Sequence, residues 1–207
     1  RLSLVGSEMC IRDRFSDLLR KTWRNSTYVS SKSPEEFMAT YQPGGTATVI
    51  CDNWTSRVID RGEDPLGLGR WTFVTLRGKG SKKLTVVTAY NSTSSTGDKT
   101  YFQQQNRVLS QIIRNQAHHI LSQPRRQFIL DLQGWLQTKI DDGHELIVSM
   151  DANDTYNPDT PGVAHPVTYH PDRPTLSPTH NGKLGTLIAS CGLRDPLALQ
   201  HESRPFP

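Results

Sequence analysis

The sequence predicts an α+β domain in which helices cover a mixed β-sheet. Three observations carry this expectation. Runs rich in β-branched and aromatic residues are joined by glycine turns, two later stretches repeat apolar residues at helical spacing, and a short apolar run after them returns to strand. No internal repeat interrupts the series.

Taken in order, residues 1–14 mix a short apolar piece with charges at no sustained period and read like a translated sequencing adapter. They are expected to be non-native, leaving 15–207 as a partial domain. Phe15–Trp23 predicts a short helix, Ser30-Ser31-Lys32-Ser33 a loop, and Pro34–Tyr41 a further helical turn, since proline suits a first helical position. Gly44-Gly45 then leads into a strand over Thr46–Cys51. Trp71–Leu76 alternates Trp, Phe and Thr with Thr, Val and Leu, and Gly78-Lys79-Gly80 turns it back as Lys83–Tyr90. After the polar loop Asn91–Gly97, Asp98 is placed to cap a helix on which Val108, Leu109, Ile112 and Ile113 recur at helical spacing. Pro124 opens the next helix, with Phe128, Leu132, Trp135 and Leu136 on one side, and Asp142-Gly143 ends it. Glu145–Met150 reads as a short buried strand that delivers Asp151-Ala152-Asn153 at its end. Residues 154–181 hold six of the 13 prolines and predict a long loop. Lys183–Cys191 predicts a short helix closed by Gly192, with Asp195-Pro196 opening another turn.

Composition narrows the function classes. No run approaches the roughly 18 apolar residues of a membrane helix, so membrane insertion is not expected. Cys10, Cys51 and Cys191 lack metal-ligand spacing and cannot all pair with one another, which argues against both zinc and a disulfide framework. Lys and Arg exceed Asp and Glu by 24 to 20, a balance compatible with a polyanionic partner but too small to require one.

The residues best placed for chemistry are Asp151 and Asn153. Two apart, they start on one face of a strand end, where a carboxylate can take a proton and an amide can donate to an anionic oxygen. Spacing alone favours a plainer role, in which both bond the backbone of the turn that follows. Tyr90, at another strand end, is on spacing alone equally well a packed aromatic. His118-His119 and the Arg125-Arg126 pair read as solvated. Trp54, Arg57, Arg70 and Trp71 offer basic and aromatic groups for nucleic acid, with Trp71 more plausibly core.

An ordered series of segments resembles the endonuclease/exonuclease/phosphatase superfamily, most closely the DNA-nicking, apurinic-like endonuclease domains of non-LTR retrotransposons. The series runs through Gly44-Gly45-Thr46-Ala47, Leu84–Tyr90, the helix with Gln103, Gln104 and Leu109, Phe128–Leu136, Gly143–Asn153 and Gly192-Leu193-Arg194-Asp195. It covers roughly residues 41–199, and its order is more specific than any one motif. The resemblance implies a four-layer α/β/β/α sandwich, incomplete here at both ends, and metal-dependent phosphodiester hydrolysis with Mg2+, or alternatively Mn2+. It implies that Asp151 positions or deprotonates the attacking water, that Asn153 binds the scissile phosphate, and that the Tyr90 hydroxyl contacts it. Asn91 and Arg57 are weaker candidates for phosphate or nucleic-acid contact. Asn91 directly follows Tyr90, whereas many relatives carry an Asn a few residues later.

The departures are equally specific. The family's first-strand Asn and metal-binding Glu have no match here, so no metal ligand is assigned and those ligands are expected outside the fragment. The closing Asp-His pair is expected beyond Pro207, and His201 in Gln200-His201-Glu202 is not its equivalent. The expected protein is therefore a fragment of a DNA endonuclease, inactive alone. Its expected partners are DNA and a reverse-transcriptase domain in the same polyprotein, with a nuclear location if the element is a retrotransposon. Two alternatives stand: a lipid or inositol-phosphate phosphatase of the same fold, and a catalytically dead relic that binds nucleic acid.

Overall fold

Strands here form where alternating residues find two different surfaces to bury against. A computed structural model describes residues 17–19, 21–23, 25–33, 44–94, 97, 100–115, 123–153 and 184–194. Within them, β1 (Ser26–Ser31) pairs antiparallel with β2 (Thr46–Cys51). A second sheet has the order β3 (Val58–Glu63), β4 (Trp71–Arg77), β5 (Lys83–Tyr90), β6 (His144–Asp151). Its first two pairings are antiparallel hairpins, while β5 and β6 run parallel. Parallel neighbours need a long crossover, which α1 (Tyr101–Asn115) and α2 (Pro124–Asp141) provide. A short helix, α3 (Leu184–Ser190), follows.

The central strands of the larger sheet, β4 and β5, are covered on both faces. Trp71 and Phe73 of β4 and Val87 and Ala89 of β5 point to one side, where they join Phe128, Ile129, Leu132 and Leu136 of α2 and Leu184 and Leu187 of α3. Trp71 meets Phe128 edge-on at 6.2 Å between ring centroids, and Phe73 meets Trp135 at 4.8 Å. Burying each such side chain contributes about 1.5–3 kcal/mol, so this layer dominates cohesion. On the other side, Val74 and Leu76 pack with Ile50, Val29, Leu84 and Val86, bringing the small sheet against β4 and β5. Buried hydroxyls extend that contact, with Thr48 Oγ1 at 2.9 Å from both Thr72 Oγ1 and Thr88 Oγ1. The architecture is α+β with a mixed sheet, as expected.

Three expectations are corrected. Ser30 and Ser31, read as loop, complete β1, because pairing with β2 supplies the order that a Ser/Thr-rich sequence lacks. β3 was not foreseen; it is an edge strand containing Asp60, Arg61 and Glu63, and its alternation is too polar to register. Among the described residues β6 is the last strand of the sheet, and it is not buried: its residues alternate between half-buried and exposed, and Ile147 is 52% exposed. The small sheet packs on β4 and β5 and leaves that stripe uncovered by described residues. Residues 1–14, Pro34–Tyr41, Asp98, His118-His119, the loop 154–181 and Asp195-Pro196 lie outside the described residues.

Candidate functional site

Parallel pairing of β5 with β6 places Tyr90 directly beside Asp151, the last residues of two neighbouring strands. Register partners share a face and lie about 4.8 Å apart across the ladder. Both side chains therefore leave the same face of the sheet at the same end. Asp151 is exposed and Tyr90 half-buried. The Asn91 amide donates to the Asp151 carbonyl at 2.9 Å, extending the ladder one residue past the strand.

Asn153 closes the cluster from the other side. Its backbone N–H donates to Asp151 Oδ1 at 3.1 Å, and its side-chain Nδ2 donates to the Asn91 carbonyl at 2.8 Å. Its backbone sits in the left-handed region at φ 44, which Asn tolerates better than most side chains. The Asn153 carbonyl accepts from Arg125 Nη2 at 2.7 Å, so the start of α2 reaches the same turn. The plainer role for Asp151 and Asn153 is thus realised in part, since one carboxylate oxygen binds the turn. Among the described residues neither the other oxygen of Asp151 nor the second N–H of the Asn153 amide has a partner, and each group has the capacity for one more hydrogen bond.

Beneath this surface the support is rigid. The Tyr90 amide donates to the Arg70 carbonyl at 2.8 Å, and the Tyr90 ring stacks on Tyr101 at 5.5 Å. The Tyr101 hydroxyl donates to the Leu68 carbonyl at 2.8 Å, and burial pushes its pKa well above the usual phenol range. Tyr101 can approach this closely because Gly44, at φ +83, has no side chain: a Cβ there would lie 2.3 Å from the ring. Arg70 is fully buried. It donates to Asp64 through Nε at 2.5 Å and Nη2 at 2.9 Å, and to Asp131 of α2 through Nη1 at 2.7 Å. Burial alone would weaken its charge, yet the hydrogen bonds and charge of Asp64 outweigh that and hold the guanidinium pKa above its ordinary value.

Of the residues singled out in the sequence, Tyr90, Asn91, Asp151 and Asn153 come together. Asn91 is 1% exposed and its Oδ1 has no hydrogen-bond partner among the described residues; it supports the cluster from below through its backbone bonds to Asp151 and Asn153. Arg57 stands apart. It ends the helical turn before β3, whose Val58 pairs with Leu76, and Leu76 in turn pairs with Leu84, six residues along β5 from Tyr90. That separation is about 20 Å along the strand. The Arg57 guanidinium lies over the exposed Trp54 ring at 5.4 Å instead. Arg70, grouped with surface candidates, is a buried ion-pair residue, and Trp71 is core at 1% exposure. Arg125, read as solvated, is half-buried against the site turn.

Mg2+, the ion the resemblance implies, takes oxygen ligands and commonly one or two carboxylates. Among the described residues no three His, Cys, Asp or Glu side chains gather to hold an ion. Asp151 with its neighbouring amides does not make a complete metal site. The groups gathered here are a carboxylate, Asp151, that can accept a proton, and two donors, the Tyr90 hydroxyl and the Asn153 amide. No family model matches the chain, and no curated protein matches it.

Proposed function

We propose that the chain carries part of a catalytic domain that hydrolyses phosphodiesters, with DNA as substrate and a retrotransposon-like element as its context. The observation supporting this most strongly is the register that sets Tyr90 beside Asp151, with Asn153 folded back onto both strand ends. In the proposed reaction the free oxygen of Asp151 takes a proton from water as that water attacks phosphorus. General-base help of this kind contributes about 10²–10⁴-fold. The Tyr90 hydroxyl and the second Asn153 amide N–H donate to the non-bridging oxygens, where negative charge grows in the transition state. The bond from phosphorus to the leaving sugar oxygen breaks, and solvent protonates that oxygen. Mg2+, or Mn2+, is proposed as the cofactor from the sequence resemblance. The described residues do not complete its site, so no step here runs through it.

We further infer that the two sheets are the inner layers of a four-layer sandwich. Support comes from the small sheet on one face of the larger sheet and α2 and α3 on the other. A second reading, a scaffold that binds nucleic acid without cleaving it, draws support from the hydrogen bond that spends Asp151 Oδ1 on the turn. Nicking of supercoiled plasmid by the full-length protein with Mg2+ separates the two. Nicking that Asp151→Ala removes is expected; DNA binding without nicking favours the scaffold, and cleavage of phosphoinositides in place of DNA moves the substrate to lipid.

A further inference from the structure

We propose that Arg125 is a positioning residue for Asn153, fixing the turn from which Asn153 and Asp151 act. Its catalytic consequence rests on the phosphodiesterase reading; its geometric basis does not. Asn153 is held by three hydrogen bonds: its N–H to Asp151, its side-chain amide to Asn91, and its carbonyl from Arg125 Nη2. The first two come from the ends of β6 and β5. The third comes from α2, so Arg125 fixes the turn relative to the helical layer.

The geometry suits that task. Arg125 follows Pro124, which is buried in the first turn of α2, and Phe128, Ile129 and Leu132 seat the helix on the sheet. The guanidinium therefore projects from a fixed base, and its planar fork loses little freedom on bonding a carbonyl. A left-handed φ at a non-glycine residue is strained and persists only where surrounding contacts over-determine it. With the Arg125 bond removed, the peptide that follows Asn153 loses its tie to α2, and the residue is held only by its bonds to the two strand ends, so the left-handed turn and with it the N–H bond to Asp151 Oδ1 loosen. The side chain of Asp151 then loses one of the contacts that orient its free oxygen.

The test compares Arg125→Ala and Arg125→Lys with the unsubstituted full-length protein. The first measurement is amide hydrogen exchange at Asn153 by NMR. Arg125→Ala is expected to speed it about 5- to 30-fold, the change that one or two kcal/mol brings. Arg125→Lys, whose ammonium still donates, is expected to recover much of the protection. Exchange at Asn153 that Arg125→Ala leaves unchanged overturns the proposal. The second measurement is plasmid nicking, where Arg125→Ala is expected to lower kcat about 10- to 100-fold at nearly constant KM. A raised KM at constant kcat would instead make Arg125 a substrate contact and overturn the positioning role. If the unsubstituted protein nicks no DNA, the phosphodiesterase reading fails, while Asn153 exchange still decides the role of Arg125.

Discussion

Replacing Arg70 with alanine strands a carboxylate in the interior. Asp64 has a fully buried side chain and receives two of the guanidinium's hydrogen bonds, at 2.5 and 2.9 Å, while Asp131, 24% exposed, receives the third at 2.7 Å. The Arg70 guanidinium also lies over the Trp71 ring at 4.8 Å. Asp131 can turn toward water when its partner is lost, but Asp64 cannot. Breaking a buried pair by removing one member costs about 3–5 kcal/mol, mostly from the unpaired charge left behind. For a domain of this size that corresponds to a fall in Tm of about 6 to 20 °C. Urea unfolding followed by circular dichroism at pH 7 measures it. Combining Arg70→Ala with Asp64→Asn tests the cause, because removing the stranded charge should narrow the deficit. A loss below about 1 kcal/mol, of the size typical for exposed pairs, would refute the claim that this triad anchors β4 to α2. So would a deficit that Asp64→Asn leaves unchanged.

Two further outcomes are expected. Gly44→Ala should destabilise the fold and weaken near-ultraviolet dichroism from tyrosine, since its Cβ would lie 2.3 Å from the Tyr101 ring and φ is +83; an unchanged Tyr signal and Tm would show that the Tyr90–Tyr101 stack does not depend on that approach. His144, whose Nδ1 lies 2.8 Å from Thr85 Oγ1, should titrate below the ordinary 6.5, because desolvation first and then Lys83 and Lys139 disfavour its charge. Its folded pKa is depressed, so the stability it contributes is present above pH 6.5 and fades as pH falls through the folded value. An NMR titration midpoint at or above 6.5 would contradict this.

Much of the fold was legible because local and tertiary preferences agree. β4 and β5 announce themselves through β-branched alternation around a glycine turn, and α2 through Pro124 and the spacing of Phe128, Leu132 and Leu136. β1 and β3 were illegible because their order comes from partners: a Ser/Thr strand and a charged edge strand look like loop until paired. The β6 run Leu146-Ile147-Val148 misled in the opposite direction, since a continuous apolar run does not reveal which face will be covered. At the site, Tyr90, Asp151 and Asn153 were visible as strand-end residues. Their adjacency depends on parallel register across a two-helix crossover, which no local pattern encodes. Tyr101 was legible as the start of a buried helix face, but its bond to Leu68 and that of Arg125 to Asn153 were missed for the same reason, since each partner lies far away in sequence. Gly44-Gly45 was read only as the turn into a strand, and nothing in its sequence showed that the Tyr101 ring packs against it.

The proposed function is tested most directly by nicking of supercoiled plasmid in Mg2+ by the full-length protein, compared with its Asp151→Ala variant at equal Tm. Loss of general-base help predicts a rate lower by about 10²–10⁴-fold with the fold intact. Undiminished nicking by the variant, or none by the unsubstituted protein, would contradict it.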